Sequence, residues 1–457
     1  MLETIKKALK IKEIRKRLFY TLLMLVVVRL GCQIPIPFVD GKALSDIFSG
    51  LTQAGADGAR TATQDAFNFF SIFTGQSLEK MSIFALNITP YITSSIIMQL
   101  LTIAIPKLDE IQKDGEEGRK KIAEITRYLT VGLALIESTA MVFGFKNQNL
   151  FGDPSKMSTF RYWSVMITCI LAMTAGSAVL MWIGERITEK GVGNGISIVL
   201  TINIISSIPS DVKNLYTQYL SGEERSKGSI ILNALIITAI LVGVVVLVVI
   251  LQGAIRKIAV QMSQKVQGRR QVGAQQSSIP LRVNTAGVIP VIFASSLLQF
   301  PVVIYSFFNA QGRQAEWAKY LSQSNWLNPT TGWKYSIGFL VYLLLIIFFA
   351  YFYTSITFNP REVAKNLNDR GGFIPGIRSG KPTVQYLTKI LNYIIFIGAV
   401  GLCIVATIPI AASGFSGVQL GFGGTSIIII VGVILETIET IKSMVSERNF
   451  STVKGIF

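Results

Sequence analysis

Residues 81–101 read MSIFALNITPYITSSIIMQLL. The stretch carries no charge and is long enough to cross a bilayer as a helix. It is nonetheless interrupted by Asn87, Thr89, Pro90, Thr93, Ser94, Ser95 and Gln99. Polar groups at membrane depth are costly and face protein or water rather than lipid. Pro90 leaves a carbonyl without its helical partner, which suits a helix packed among others. The pattern returns at residues 287–299, GVIPVIFASSLLQ. Both copies read P-x-I-x-x-S-x-x-x-Q, so Pro90 and Ile92 correspond to Pro290 and Ile292.

The composition sets the class. Half of the 457 residues are hydrophobic, and the mean hydropathy of +0.51 is that of a polytopic membrane protein. Apolar runs of spanning length fall near 18–37, 81–105, 125–145, 161–184, 194–209, 229–251, 284–308, 334–357, 385–410 and 424–441. The expected fold is therefore an all-α polytopic membrane protein with ten transmembrane helices. Residues 62–78 are too short and too polar to span, and are expected to fold back into the protein as a half-helix. Seven Lys/Arg precede the first apolar run, which ends in QIPIP without a small-residue cleavage site. A retained first span is expected rather than a cleaved leader.

Charge orients the chain. Lys and Arg number 43 against 26 Asp and Glu. With the N-terminus in the cytosol, the cytosolic segments hold 30 Lys/Arg and the opposite side 12, and Arg29 lies inside the first span. That asymmetry places both termini inside. Two cytosolic loops, 252–283 and 358–384, are longer than connectors need to be. The first carries Arg256, Lys257, Lys265, Arg269, Arg270 and Arg282 without an acid, and the second carries Arg361, Arg378 and Lys381. Such loops either serve topology alone or bind anionic lipid, RNA or a large protein partner.

Several function classes are excluded. There is no histidine, which removes His-based triads, HExxH zinc sites and histidine proton relays. Cys32, Cys169 and Cys403 all lie in apolar segments and form no disulfide framework. Gly380-Lys381 is not a phosphate-binding loop, because Pro375 stands at the required glycine and Pro382 at the Ser/Thr. No catalytic residue, metal site or cofactor is expected, and no nucleotide motif supplies energy.

Ten spans divide into two halves of five, 1–209 and 210–457. An odd number per half makes the second half enter from the opposite side, so the repeat is inverted. Spans two and seven are then equivalent elements beside the path between the halves. A secondary transporter also uses this plan. It normally carries ionisable groups at mid-membrane, whereas Glu137 is the one acid well inside a span here.

At this point the chain resembles the SecY/Sec61 alpha family, the central subunits of Sec protein-translocation channels, and its bacterial members in particular. The residues that carry the resemblance run the whole length. They are Ser82–Leu86 with Pro90–Leu101, Gly118–Ile122 with Thr126–Tyr128, Met181–Ser197, Val283–Pro290 with Ile292–Ser296, Gly371–Arg378 and Phe422–Ser426.

The resemblance implies a protein-conducting channel that passes unfolded secretory polypeptides and releases transmembrane segments sideways into lipid. It implies a pore ring at Ile88, Ile92, Val192, Ile196, Ile292 and Ile429. Stiff β-branched side chains would make a defined collar that resists water by dewetting. Ile88/Ile92 and Val192/Ile196 are i,i+4 pairs, each sharing one face where the segment is helical. It implies a plug in the fold-back stretch at Phe67, Asn68, Phe69, Phe70, Ser71, Ile72, Phe73, Thr74 and Gly75. It implies a lateral gate along Thr93, Gln99, Ser296 and Phe300. The two basic loops would dock the ribosome and the SecA motor ATPase, which supply the energy. SecE and SecG small subunits, signal-bearing polypeptides and membrane lipids complete the implied partners, in a bacterial plasma membrane.

Overall fold

In a computed structural model the described residues are 6, 8–39, 44, 71, 73–145, 150, 158–215, 227–262, 266–267, 270–271, 276–308, 316–327, 333–369, 371–416 and 424–454. Ten helices of 16 residues or more stand where ten apolar runs were expected. They are Lys12–Gly31, Thr89–Ala104, Gly115–Phe145, Thr159–Lys190, Gly195–Leu215, Lys227–Gly253, Ile289–Phe308, Ile337–Thr357, Lys381–Ser416 and Gly424–Lys454. Among the described residues four helical stretches are long and apolar enough to cross a membrane by length and composition. A fifth is the Thr89–Ala104 helix taken with Pro106–Lys113, the two bent by 102°. Gly195–Ser210, Thr238–Gly253 and Ile289–Gln299 are shorter apolar helices.

The helices expose aliphatic surface that water would not tolerate. Leu22, Leu23, Val26, Val27 and Leu30 of the first helix are all exposed, as are Val242, Val245, Val246, Val249 and Ile250 of the sixth. Contiguous apolar surface of this extent marks a face covered by lipid or by another protein. The protein is multi-pass, helical and membrane-embedded.

The chain forms two compact units. The first comprises residues 1–221, 299–335 and 433–457, and the second comprises 222–298 and 336–432. In the first, the Thr159–Lys190 helix packs against Lys12–Gly31, Gly115–Phe145 and Gly195–Leu215. Small residues allow the close approach: a Cβ on Gly195 would lie 2.0 Å from the Gly184 carbonyl oxygen. In the second, Lys381–Ser416 packs against Lys227–Gly253 and Ile337–Thr357.

The second unit also carries a small antiparallel sheet beyond the all-helical expectation. Strand Ile255–Met262 pairs with Gln276–Arg282 on one side and with Gly372–Phe373 on the other. Pro280 lies on the outer strand, where a missing N–H costs no ladder bond. The inner faces of Ile258, Val260 and Leu281 are buried with Ala364, Leu367, Ile374, Leu387, Ile390 and Ile394. The two basic loops are thus one folded element.

The decisive stretch differs in detail from a simple span. Residues 81–88 form turns, and the helix begins only at Thr89. This irregular backbone is paired with the chain after the first helix. Ile36 N–H donates to the Met81 carbonyl at 2.9 Å and Ile83 N–H to the Ile34 carbonyl at 3.1 Å. Irregular backbone is tolerated at membrane depth only where protein supplies such partners.

Candidate pore, plug and docking elements

The repeat extends to backbone geometry. Asn87 has φ +52° and its counterpart Gly287 has φ +64°. The left-handed region is open to Gly and, at modest cost, to Asn. The helix follows in each copy, with Pro90 and Pro290 at the second helical residue. There a proline's missing N–H removes no helical bond. The Ile88 carbonyl accepts from Ile92 N–H at 3.0 Å, and the Val288 carbonyl from Ile292 N–H at 3.2 Å. Even the carbonyl of the left-handed residue is held alike. Ser177 Oγ donates to Asn87 O at 3.0 Å, and Asn284 Nδ2 to Gly287 O at 2.9 Å.

Three of the six ring residues meet in one apolar cluster. Ile88, 1% exposed, lies with Val28, Cys32, Phe84, Leu180, Ile183, Ile187 and Val199, and the half-buried Ile92 and Ile196 pack on it. Val192 does not join them. It precedes the helix that starts at Gly195, so it shares no helix face with Ile196. It packs instead with Ala8, Ile14, Ile441 and Val445, and its N–H donates to Thr21 Oγ1. The helical i,i+4 partner of Ile196 is Leu200, which is buried. Ile292 and Ile429 are buried within the second unit.

Of the nine plug residues, Phe67, Asn68, Phe69, Phe70 and Ile72 lie outside the described residues. Ser71, Phe73 and Thr74 are buried, and Gly75 has φ +61°. This end of the expected plug meets a polar network. Asn87 Nδ2 donates to the Phe73 carbonyl at 2.6 Å, and Asn203 Nδ2 donates to Asn87 Oδ1 at 3.1 Å. Arg29 Nη1 donates to Asn203 Oδ1 at 3.3 Å and to the Gly75 carbonyl at 3.4 Å. Arg29 was visible in the sequence as a charge inside the first span, and Asn87 as an odd polar residue. Asn203, in the middle of span five, was missed.

Along the gate positions, Thr93 Oγ1 donates to the Thr89 carbonyl of its own helix. Gln99 Nε2 reaches Ser95 Oγ at 3.4 Å. Gln99 Oε1 and its repeat counterpart Gln299 Oε1 are both buried with no hydrogen-bond partner among the described residues. Ser296 is half-buried, and the Phe300 side chain lies outside the described set.

On the sheet, Arg256 and Lys257 are exposed, opposite Leu281 and Pro280. Arg361 is exposed in the first turn of helix Pro360–Asp369, where its N–H donates to the capping Asn359 Oδ1. Arg378 is exposed on a turn between Gly376 and Gly380, pinned by Thr383 Oγ1 donating to its carbonyl at 2.8 Å. Lys381, at the start of the next helix, is exposed too. None of these cations has an ion-pair partner among the described residues. Arg270 pairs through its backbone in a two-residue strand, and Lys265 and Arg269 lie outside the described residues. No group of His, Cys, Asp and Glu among the described residues could hold a metal.

A broken span repeated in both units, an apolar cluster around Ile88 in the first and a basic folded element in the second fit a polytopic channel of the protein-translocating class. Comparison with known proteins agrees. The SecY family profile matches residues 82–438. The protein translocase subunit SecY of Streptomyces galbus is 42% identical over 456 residues, covering 98% of this chain and 99% of that one. That of Bacillus subtilis is 39% identical over 457 residues, with the same coverage. A solved protein-conducting channel superposes with TM-score 0.60 at 19% identity, covering 94% of this chain and 92% of that one. Sec61 in the canine ribosome–channel complex from the endoplasmic reticulum gives 0.59 at 20%, with the same coverage. The chain belongs to the SecY family.

Proposed function

We infer that the chain conducts unfolded secretory polypeptides across a bacterial plasma membrane and releases hydrophobic segments sideways into lipid. The observation that carries this reading is the matched break in spans two and seven. In both copies a left-handed residue lies two positions before the helix that carries Ile92 or Ile292. We propose that Ile88, Ile92, Ile196, Ile292 and Ile429 line an apolar constriction. Such a collar excludes water by dewetting and offers a passing chain no particular hydrogen bond. Thr93, Gln99, Ser296 and Phe300 would border the lateral exit, held by interhelical contacts of roughly 0.6–2 kcal/mol each. A hydrophobic signal helix displaces contacts of that size. Residues 65–78 would plug the closed path, as the plug of one structural neighbour is described as maintaining a membrane seal.

The basic sheet fits the ribosome and the SecA motor ATPase, and SecE and SecG would complete the complex. Both termini are placed in the cytosol by the Lys/Arg asymmetry. A transporter reading is not favoured, because the full-length relatives at about 40% identity are translocase subunits. The test is photocrosslinking of a stalled secretory chain. A photoreactive residue at Ile92 or Ile196 should label the chain in transit, and one at the exposed Leu344 should not. Equal labelling at all three would refute the path.

A further inference from the structure

Arg29 lies inside the first helix, and among the described residues its hydrogen bonds go to neutral oxygens, one from the plug root and one from the fifth span. A cation at membrane depth held this way is rare and costly. Asn203 is fully buried and uses both ends of its amide, receiving Arg29 and donating to Asn87. Asn87 is 1% exposed, and its Nδ2 donates to the Phe73 carbonyl. The chain of bonds therefore runs from both sides into the backbone of residues 73–75. It is joined to the collar, because Ile88 follows Asn87 directly.

We propose that Arg29, Asn87 and Asn203 form a latch that holds the root of the plug through its Phe73 and Gly75 carbonyls. The three are positioning residues, and the proposal rests on the plug reading above. When the root leaves, Arg29 and the buried Asn87 each lose a backbone acceptor. The latch therefore disfavours opening until a polypeptide or water replaces those acceptors. Backbone acceptors make the latch independent of the plug's side chains. Gly75 leaves room for it: its φ is +61°, and an added Cβ would lie 2.7 Å from Arg29 Nη1, 2.8 Å from Ser206 Oγ and 2.9 Å from Asn203 O.

The test is ion conductance of the full translocon in planar bilayers, with deletion of residues 66–74 as the reference. The deletion should raise the leak, and an unchanged leak would overturn the plug reading itself. Asn203→Leu, close in volume but unable to bond, should raise the leak of the intact chain about tenfold, equivalent to about 1.4 kcal/mol. Gly75→Ala, which spares every polar group of the latch, should also raise it. In the deleted chain neither change should add to the leak. If the deletion leaks while both substitutions in the intact chain do not, the latch is overturned and the plug stands. If Asn203→Leu raises the leak of the deleted chain by the same factor, the residue supports the collar and not the plug, which also overturns the latch.

Discussion

At the scale of single residues, backbone conformation and size decide what hydropathy hides. Asn87 and Gly287 look unrelated as letters, yet both take the left-handed backbone that starts a broken span. One uses its freedom from a Cβ and the other its short polar side chain. Gly195 is a matter of space. Its N–H donates to Thr188 Oγ1, and the Gly184 carbonyl sits where a methyl would go. Gly195→Ala is expected to lower stability by about 1–3 kcal/mol, as overpacking does. The measurement is thermal unfolding of the detergent-purified protein, and an unchanged midpoint would show that the helices part freely. Val192 carries the matching lesson. Counting four residues back from Ile196 pairs them only on a helix, and the helix starts between them.

At the scale of elements, the small sheet formed by the two basic loops is the largest feature that hydropathy does not reveal. Its signal was present as alternation, Ile258-x-Val260 and Ile279-x-Leu281, the apolar residues facing one side. The surrounding Arg and Lys drew attention to charge, and the pairing of residues 261–262 with 372–373 joins loops too far apart for local pattern to link. The sheet turns two flexible-looking loops into a platform with outward cations. Arg378 stands on a pinned turn of it, and its planar fork suits phosphate and carboxylate alike. Arg378→Glu should block secretion while membrane accumulation stays normal. Secretion at the parental rate in cells relying on the variant would remove this loop from docking.

At the scale of the whole molecule, composition and charge decide topology. A run of ten apolar segments with Lys/Arg concentrated on alternate connections is the basis for proposing that both termini face the cytosol. Cysteine introduced at Arg256 should be labelled only from the cytosolic side by a membrane-impermeant maleimide, and cysteine at Lys334 only from the other. The natural cysteines are buried or half-buried and contribute little background. Labelling of both positions from one side would break the five-plus-five inverted arrangement.

The sequence by itself determined the class, the number and places of the apolar segments and the pairing of spans two and seven. Those properties follow from local transfer free energies and from a repeat that can be read letter by letter. Only the tertiary structure decided that residues 81–88 are not helical, that Val192 lies outside the cluster of Ile88, and that Asn203 completes a polar network with Arg29, Asn87 and the backbone of residues 73–75. Each depends on partners far apart in the chain. A buried polar group is stable only where its hydrogen bonds are met, and what meets them is fixed by folding rather than by neighbours in sequence.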